Sequence, residues 1–288
     1  YFASKNFGKK IKTFSIGFRD KSFDESKFGN QVSEFLGTEH YLKIFDEKEL
    51  VETLPYAANF MDEPFSDPSI LPTYLLSKFA REHVTVALGG DGGDELFLGY
   101  PMFQAEKATS FYLKIPKLAR EKIIEPAINS LPDKTKNLPL TFLMKSFIRG
   151  ADCPRGLRHQ IWISGFHPKE HYDILSEEVK NEIYKNDSFD LKDWCGMNFR
   201  ETKDFYNKNE NAGHNSKTNY LYLKQYLADD ILVKVDRAAM AASLEVRAPF
   251  LDTGLAQFIF SLPYDFKLYG FKTKYILKKL MENKLPRE

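Results

Sequence analysis

The sequence contains very little cysteine: Cys153 and Cys195 are the only two among 288 residues, and no CxxC spacing occurs. This argues against a disulfide framework and against a zinc site built on paired cysteines. A run of about 18 apolar residues is also missing, so no membrane span is expected. The opening segment YFASKNFGKK lacks the apolar core of a signal peptide. We therefore expect a cytoplasmic protein without membrane association.

Neither sign of charge is in excess, since 41 Lys and Arg residues stand against 40 Asp and Glu residues and the net charge is +1. This balance provides no electrostatic footprint for nucleic acid. Four motifs are absent: GxxxxGK followed by Ser or Thr, GxGxxG after a strand, GxSxG, and HExxH. Their absence argues against a Walker NTPase, a dinucleotide dehydrogenase, a hydrolase with a nucleophile elbow and a zinc protease.

Strand-like and helix-like patterns alternate over the first hundred residues. The predicted order is a strand at Ile11–Phe18, a helix from Asp24 to Gly37, a strand at Tyr41–Phe45, a helix from Asp46 to about Met61, a helix from Ser69 through Glu82, and a buried strand at Val84–Leu88. This order predicts an α/β fold, with a parallel sheet and helices on its faces. Because ligands of such sheets bind at the carboxyl ends of strands, Gly17 and Gly89 are expected to flank one crevice.

The middle of the chain differs in character. Residues 101 to about 215 contain helical segments without strand alternation, and the polar stretch Asn207–Ser216 is the predicted flexible linker. Helical patterns return from Asn219. We therefore divide the sequence into three parts: an α/β core at 1–100, a helical insertion or layer at 101–218, and a C-terminal helical part at 219–288.

Four glycines and three acids fill the seven residues from Gly89 to Glu95, directly after a predicted strand. Glycine lets a ligand approach the backbone closely, and successive N–H groups in such a turn bind anions. Asp91, Asp94 and Glu95 would repel phosphates unless a divalent cation intervened, and Mg²⁺ binds a carboxylate or two together with phosphate oxygens. The stretch fits a Mg²⁺–nucleotide, but a glycine-rich turn before a helix with acids in its first turn explains it equally well.

Other charged residues have simple explanations when spacing alone is considered. Asp62, Glu63 and Asp67 lie in a loop with two prolines, which favours a solvated loop. Lys224 is a single lysine on a predicted helix, and such lysines usually face solvent. Four charges interrupt an apolar segment and are expected to pair with one another: Asp236, Arg237, Glu245 and Arg247.

Six segments occur in a fixed order: KTFSIGF, FDES, LGTEHY, DEPFSDPSILPTYLLS, LGGDGGDELFLGY and YLADDILVKVDRAAMAASLEVRAPFLD. Together they resemble the synthetase domain of the glutamine-dependent asparagine synthetases, over Lys12 to about Tyr100 and Tyr222 to about Pro286. The resemblance implies a parallel, Rossmann-like sheet of the adenine nucleotide alpha hydrolase-like, ATP-pyrophosphatase type. It also implies a reaction that uses ATP and Mg²⁺, in which aspartate is adenylated with release of pyrophosphate and ammonia then displaces AMP.

Ligand-binding residues follow from the resemblance position by position. Backbone contacts to the nucleotide and the acyl-adenylate are implied for residues at the first strand end and in the glycine loop: Ser15, Ile16, Gly17, Gly89, Gly90 and Gly92. Asp67 and Ser69 fall in the loop that the family places on the substrate side.

Catalytic roles are implied in the same way. Asp91 occupies the position of a carboxylate that handles protons during ammonia attack, although many relatives have Glu there, and the shorter side chain has less reach. Lys224 corresponds to a lysine that stabilises phosphate charge during adenylation. Asp94 corresponds to a ligand of Mg²⁺–pyrophosphate, and Glu95 is expected to support it.

The sequence departs from the family at both ends. The pyrophosphate loop of the form SGGxDS is absent, as is the glutaminase half with its N-terminal nucleophilic Cys. The chain also stops at LPRE, before a basic segment that the family places at the active site. We expect a fragment whose usual partner is an N-terminal glutaminase domain in the same chain, and little or no ATP-dependent activity from these residues alone. A homodimer is left open.

Two other functions stay open at this point. Members of the same family amidate other carboxylates, among them β-lactam synthetases and sugar amidotransferases, and motif order does not separate these. The third hypothesis is a degenerate nucleotide-binding scaffold. The absent loop favours it, and the presence of Asp91, Asp94 and Lys224 argues against it.

Overall fold

The computed structural model describes residues 1–132, 139–183, 199–208 and 211–286. The chain divides into two compact units, of which the first combines Tyr1–Gly99 with Tyr222–Glu288 and the second is Tyr100–Leu221. The functional division made from the sequence stays a prediction. Within the described ranges, no helix has both the length and the apolar character needed to cross a bilayer.

The N-terminal part of the first unit alternates helices and strands. Its elements are α1 (Phe2–Asn6), β1 (Lys12–Phe18), α2 (Ser26–Leu36), β2 (Glu39–Phe45), α3 (Glu47–Phe60), α4 (Ile70–Arg81), β3 (Val86–Leu88) and α5 (Gly93–Phe97).

The second unit consists of helices in the ranges that the structure describes. They are α6 (Pro101–Tyr112), α7 (Lys117–Ala119), a π-helical turn (Arg120–Ile124), α8 (Glu125–Asn129), α9 (Leu140–Ala151), α10 (Arg158–Ile163), α11 (Pro168–Asp173), α12 (Glu177–Ile183), α13 (Arg200–Lys208) and α14 (His214–Leu221).

The first unit resumes with a π-helical segment. Its remaining elements are this segment (Tyr222–Ile231), α15 (Leu232–Ala241), β4 (Glu245–Arg247), a 3-10 turn (Pro249–Leu251), α16 (Thr253–Ser261), α17 (Tyr264–Lys267) and α18 (Tyr275–Met281).

Two parallel strand pairs confirm the predicted parallel α/β fold. Strand β1 pairs with β2 from Lys12↔Glu39 to Phe18↔Phe45, and β3 pairs with β4 from Val86↔Glu245 to Leu88↔Arg247. Because β1 and β3 belong to different pairs, the described strands do not form the expected single sheet. That Gly17 and Gly89 flank one crevice stays a prediction.

The prediction of a buried strand at Val84–Leu88 is wrong in both extent and burial. Only Val86–Leu88 is extended in a ladder, and Val86 and Leu88 are 40% and 64% exposed. The physical reason is the short pairing: among the described strands β3 bonds to β4 alone, so its apolar side chains have little to pack against.

Polar side chains determine where α2 and α3 begin, and the cap predicted for α3 is confirmed. Asp46 caps α3 as predicted, since its Oδ1 accepts from Glu49 N at 2.9 Å while Asp46 N donates to Glu49 Oε2 at 3.1 Å. This reciprocal capping box satisfies two backbone donors. Asp24 does not occupy the cap of α2 itself. Its Oδ1 accepts from the N–H of Ser26, where the helix begins.

The core of the first unit packs α15 and α4 onto β2. Its buried members are Phe45, Ile70, Tyr74, Leu75 and Ala238. A second cluster anchors α5 against α16 and α18 through Leu96, Phe97, Ile259 and their neighbours. These contacts hold the helices that carry the charged residues described below.

In the second unit, a buried carboxylate organises the helices. Glu106 accepts two hydrogen bonds from Arg158 Nη1, at 3.0 and 2.8 Å, and lies 3.1 Å from Arg155 Nε and 3.2 Å from His214 Nε2. Burial opposes ionisation of Glu106, but the close contacts with His214 and Arg158 lower its pKa to about 2. This cluster ties the start of α14 to α6 and α10.

The predicted linker at Asn207–Ser216 is wrong at both of its ends. Asn207 and Lys208 belong to α13, and the helix α14 begins at His214, which contacts Glu106. The polar residues Asn207 and Lys208 lie at the end of α13, and His214 lies beside the carboxylate of Glu106. Cys153 is buried and is in no disulfide within the described residues, and Cys195 lies outside them.

Candidate active site

The glycine loop follows β3 directly and its shape depends on glycine at specific positions. Gly89 N donates to Arg247 O across the strand pair at 2.8 Å. Gly92 has a φ of +86°, and a side chain there would collide with Leu251. At Gly90 no described atom lies within 4 Å of the position that a Cβ would take. The loop is therefore tightly packed at Gly92 and open to a ligand at Gly90.

Asp91 lies half-buried in this loop, with its carboxylate turned back toward Gly89. A Cβ at Gly89 would lie 2.6 Å from Asp91 Oδ2. Burial raises the pKa of Asp91, while its own backbone N–H and the charge of Lys234 act in the opposite direction. A raised pKa makes the carboxylate a stronger base, which suits proton transfer.

Asp67 is held in an ion pair with Lys234. The distance from Lys234 Nζ to Asp67 Oδ2 is 2.7 Å, and the two side chains are 11% and 20% exposed. Asp67 Oδ1 also accepts from Ser69 N at 2.9 Å. Burial opposes ionisation, yet the hydrogen bonds from Lys234 and Ser69 lower the pKa of Asp67. The explanation of a solvated loop is therefore wrong for Asp67.

Ser69 lies at the start of α4, and its place on the substrate side stays a prediction. Ser69 stands at the N-cap position, but its side chain makes no capping hydrogen bond to the helix. Instead Ser69 interacts with the carboxylate of Asp67 through both its backbone and its side chain. The carboxylate is the stronger acceptor, so the serine stabilises the ionised Asp67.

Asp230 brings a third carboxylate into the field of Lys234. Its Oδ1 is buried and has no hydrogen-bond partner in the described part of the chain. Burial and the negative charge of Asp67 raise the pKa of Asp230, and Lys234 counteracts them. The buried ammonium group of Lys234 thus favours the ionised form of Asp67, Asp91 and Asp230. Asp230 Oδ1 is left as an acceptor for a cationic group of a ligand.

Asp94, the predicted metal ligand, pairs with a lysine. Its Oδ1 lies 2.9 Å from Lys274 Nζ. Lys274 precedes α18 with a φ of +51°, and its backbone N–H donates to Phe97 O at 3.1 Å. A side chain at Gly99 would collide with the Asp94 carboxylate, so glycine is needed there for the pair to form.

The residues around Asp94 fit only one mode of metal binding. Among the residues that the structure describes, no three His, Cys, Asp or Glu side chains are grouped so that they could hold a metal ion. Mg²⁺ commonly binds through one or two carboxylates together with substrate phosphates and water. Asp94, with a side chain that is 39% exposed, fits that mode and no all-protein cage.

Glu95 lies in the interior and is 2% exposed. Its charge contributes to the raised pKa values of Tyr222 and Tyr226, which burial raises most, and that of Tyr226 reaches about 12. The side chain therefore lies in the protein interior near Tyr222 and Tyr226. Its supporting role stays a prediction.

The three residues predicted at the first strand end lie in the other strand pair. Ser15, Ile16 and Gly17 are part of β1. A Cβ at Gly17 would lie 2.5 Å from Ile44 Cδ1 and 2.8 Å from Asp24 Oδ1. A side chain at this position would therefore have to displace the ends of the Ile44 and Asp24 side chains. The contacts with adenine stay a prediction.

Two lysines at the predicted carboxylates were missed by the sequence reasoning. Lys234 lies in α15 within the apolar run ILVKV, and a buried lysine there must find a charged partner. No local pattern marks Lys274. The predicted Lys224 lies on the exposed side of the π-helical segment. Its role in adenylation stays a prediction.

The expected mutual pairing of four charges is right for one pair only. Arg247 Nε lies 2.7 Å from Glu245 Oε1, but Arg237 pairs with Asp62. These side chains are largely exposed, so their pairing needs no buried partner.

The parallel strand pairs, the glycine loop after β3 and the Asp–Lys pairs define an α/β protein with a candidate site at a strand end. A family model described as asparagine synthase matches residues 1–288. The chain belongs to the asparagine synthase family, whose domain has the adenine nucleotide alpha hydrolase-like fold. The family resemblance and the fold inferred from the sequence are thereby confirmed.

Several curated relatives cover most of the chain. Asparagine synthetase (glutamine-hydrolyzing) 1 of Bacillus subtilis is 29% identical over 290 residues, covering 98% of this chain and 41% of that protein. Putative asparagine synthetase (glutamine-hydrolyzing) 2 of Methanocaldococcus jannaschii is 31% identical over 243 residues, covering 84% and 42%. Amidase chyE of Penicillium rubens is 24% identical, covering 94% and 41%. The chain spans about two fifths of the length of these relatives.

Proposed function

We propose that this chain is the synthetase part of an enzyme that forms asparagine from aspartate, ATP and ammonia, the ammonia being released from glutamine by a separate glutaminase domain. Membership of the asparagine synthase family and the names of its relatives support this proposal. The observation that carries it is the buried Lys234 among Asp67, Asp91 and Asp230, next to a glycine loop at a strand end.

In the first step, an oxygen of the aspartate β-carboxylate attacks the α-phosphorus of ATP. The bond from that phosphorus to the oxygen that bridges to the β-phosphate breaks, and pyrophosphate leaves. Two anionic reactants must meet, so cationic groups lower the barrier. Lys274 beside Asp94 and Lys224 on the π-helical segment are the ammonium groups that we propose to interact with the phosphates. Bound Mg²⁺ would neutralise phosphate charge, and Asp94 would hold it.

The substrate amino acid is proposed to bind at the Lys234 cluster. Asp230 has a buried carboxylate oxygen without a partner among the described residues, which suits the substrate ammonium group. Lys234 has three N–H donors and donates one to Asp67, so the others can bind a carboxylate of the substrate. The backbone of Gly90 is open for the approach of the nucleotide.

In the second step, ammonia attacks the carbonyl carbon of the acyl-adenylate. The new C–N bond forms, the bond to the phosphate oxygen of AMP breaks, and the surplus proton leaves the nitrogen. Asp91 is the proposed acceptor of that proton, because burial raises its pKa above that of an ordinary aspartate.

The test uses the complete protein with Mg-ATP, ammonium chloride and a series of acids. Pyrophosphate release that depends on aspartate, with asparagine detected by mass spectrometry, supports the proposal. Release without a dependence on aspartate contradicts it. If no Mg-ATP or AMP binding is found by calorimetry, the degenerate scaffold is favoured instead.

Amidation of a different carboxylate is the second candidate function. Two fungal relatives, at 24% and 22% identity, are named amidase and not asparagine synthetase, so members of this family differ in their named activity. The same acid series decides between the two, since an amide formed from another acid in preference to aspartate identifies this alternative.

A further inference from the structure

Strand β2 is an open edge in the part of the chain that the structure describes. It pairs with β1 alone, and the pairing is continuous along the whole strand. Glu39 N donates to Ile11 O at 2.9 Å. Because every second residue of a strand hydrogen-bonds to the same neighbour, the odd-numbered residues of β2 bond to β1. The N–H and C=O groups of His40, Leu42 and Ile44 therefore point away from β1, in the plane of the sheet.

The outer edge of β2 lacks the features that usually protect an edge strand. Its sequence, EHYLKIF, contains no proline, and its register with β1 has no bulge. The side chains of Leu42 and Ile44 are 37% and 47% exposed. Lys43 points to the opposite face, where its Nζ atom lies 4.9 Å from the ring centroid of Phe45. Outward-facing backbone groups and exposed apolar side chains therefore coincide along this edge.

The outward-facing residues of β2 are spaced symmetrically about Leu42. When a second β2 is placed antiparallel to the first, with a two-fold axis at Leu42, each Leu42 faces the other and each His40 faces Ile44. These are the residues whose backbone groups point outward, so each facing pair can exchange both of its hydrogen bonds. The two Leu42 side chains meet at the axis. A second copy of the chain thus matches the whole edge, as a two-fold interface requires.

The side chains on the other face of β2 are compatible with the same register. Lys43 lies opposite Tyr41 of the second copy, and the hydroxyl of Tyr41 donates to Glu39. Each lysine thus meets an aromatic ring beside a carboxylate, which is a favourable cross-strand neighbourhood. Glu39 lies opposite Phe45, so no like charges face each other directly. A two-fold axis at Lys43 would instead place two lysines directly opposite, which is destabilising.

We propose that β2 is a homodimer interface, in which two copies of this chain join their edges antiparallel about a two-fold axis at Leu42. The backbone hydrogen bonds extend the sheet across the axis, and Leu42 and Ile44 bury apolar surface there. None of the residues of β2 belongs to the candidate active site. The interface can therefore be tested without substrates, and its failure leaves the proposed function untouched.

The test is analytical ultracentrifugation of the complete protein over a series of concentrations, for which we expect a monomer–dimer equilibrium. Leu42→Lys places two ammonium groups at the axis and should weaken self-association about tenfold or more, and Leu42→Glu should do the same. An equimolar mixture of these two variants should associate again, because Lys and Glu then face each other across the axis. Leu118→Lys, at a leucine that is 69% exposed in the second unit, is the matched control and should associate normally.

A second position and a folding check keep the test decisive. Ile44→Lys, at the next outward-facing position, should also weaken self-association, and circular dichroism shows whether each variant is folded. A complete protein that is monomeric at every concentration overturns the proposal. So does undiminished self-association of folded Leu42→Lys or Ile44→Lys, or a mixture of the Leu42→Lys and Leu42→Glu variants that stays monomeric.

Discussion

Lys234 Nζ and Asp67 Oδ2 form an ion pair of 2.7 Å between residues 167 positions apart in sequence. The pair joins α15 to the loop that precedes α4, and apolar contacts of Ala238 with the core around Ile70 and Tyr74 bring these two helices together. The packing of α15 on α4 therefore places a buried cation at the predicted substrate loop.

Replacing Lys234 by Met should lower both stability and activity. The change leaves Asp67 as a buried anion without its partner, which costs about 3 kcal/mol in the free energy of unfolding. Thermal unfolding measures this loss, and Lys234→Arg should recover most of it. The exposed Lys48 is the matched control, since Lys48→Met should change the free energy of unfolding by less than about 1 kcal/mol. An unfolding temperature unchanged by Lys234→Met would contradict the buried pair.

Replacing Asp91 by Asn should separate the two chemical steps. Asparagine formation should fall by about 100-fold or more, because the amide cannot accept the proton of the attacking ammonia. Aspartate-dependent pyrophosphate release should fall much less, and Asp91→Glu should restore amide formation. Because burial raises the pKa of Asp91, the acidic limb of the pH profile should lie above that of an ordinary aspartate. An equal fall in both steps would assign Asp91 to substrate binding instead.

Two glycines of the same loop should respond differently to alanine. Gly92→Ala should destabilise the fold by roughly 1–3 kcal/mol, because Gly92 has a φ of +86° and a Cβ would meet Leu251. Gly90→Ala should leave the unfolding temperature nearly unchanged, since no described atom lies within 4 Å of the new Cβ. If the nucleotide approaches Gly90, the KM for ATP rises in Gly90→Ala. An unchanged KM would remove Gly90 from the site.

His159 should make the second unit sensitive to acid. Burial lowers its pKa from 6.5 to about 3. Between these values the unfolded chain binds a proton that the folded chain does not, so stability falls as pH falls from 6.5 toward 3.

Phe is a suitable replacement because Phe103 and Trp162 already pack on the ring of His159, at 5.1 and 5.3 Å between centroids. His159→Phe should make the unfolding temperature less dependent on pH between 6.5 and 5, a window above the one in which Glu106 takes up protons. His83→Phe, at an aromatic contact in the first unit, is the control. Parallel pH curves for His159→Phe and the unaltered protein would contradict a neutral, buried His159.

Local signals predicted local structure well. Asp46 and Glu49 lie three residues apart, and that spacing alone specifies the capping box at the start of α3. The alternation of strands and helices likewise predicted parallel pairing, because parallel strands need a crossover connection. The prediction that β3 is buried was wrong. Burial depends on what packs around the strand, and residues 84–88 alone do not determine it.

The ion pairs of the candidate site could not be predicted from any local sequence pattern. Lys234 and Asp67 meet only through the packing of α15 on α4, and Lys274 reaches Asp94 through the packing of α18 against α5. Motif order located the glycine loop and the acids, since these are contiguous in sequence. The cations that neutralise them come from distant helices, so only the structure identifies them.

The π-helical segment at Tyr222–Ile231 leads directly into α15 and determines which residues of α15 face α4. A π-helical turn contains about one residue more than an α-helical turn, and removal of one residue from the segment would turn α15 by about 100° about its axis. Lys234 would then face away from Asp67, and a different side chain would take its place. A homologous protein with a regular α-helix here should thus show a gap in the alignment before the lysine, and this segment helps to align distant sequences.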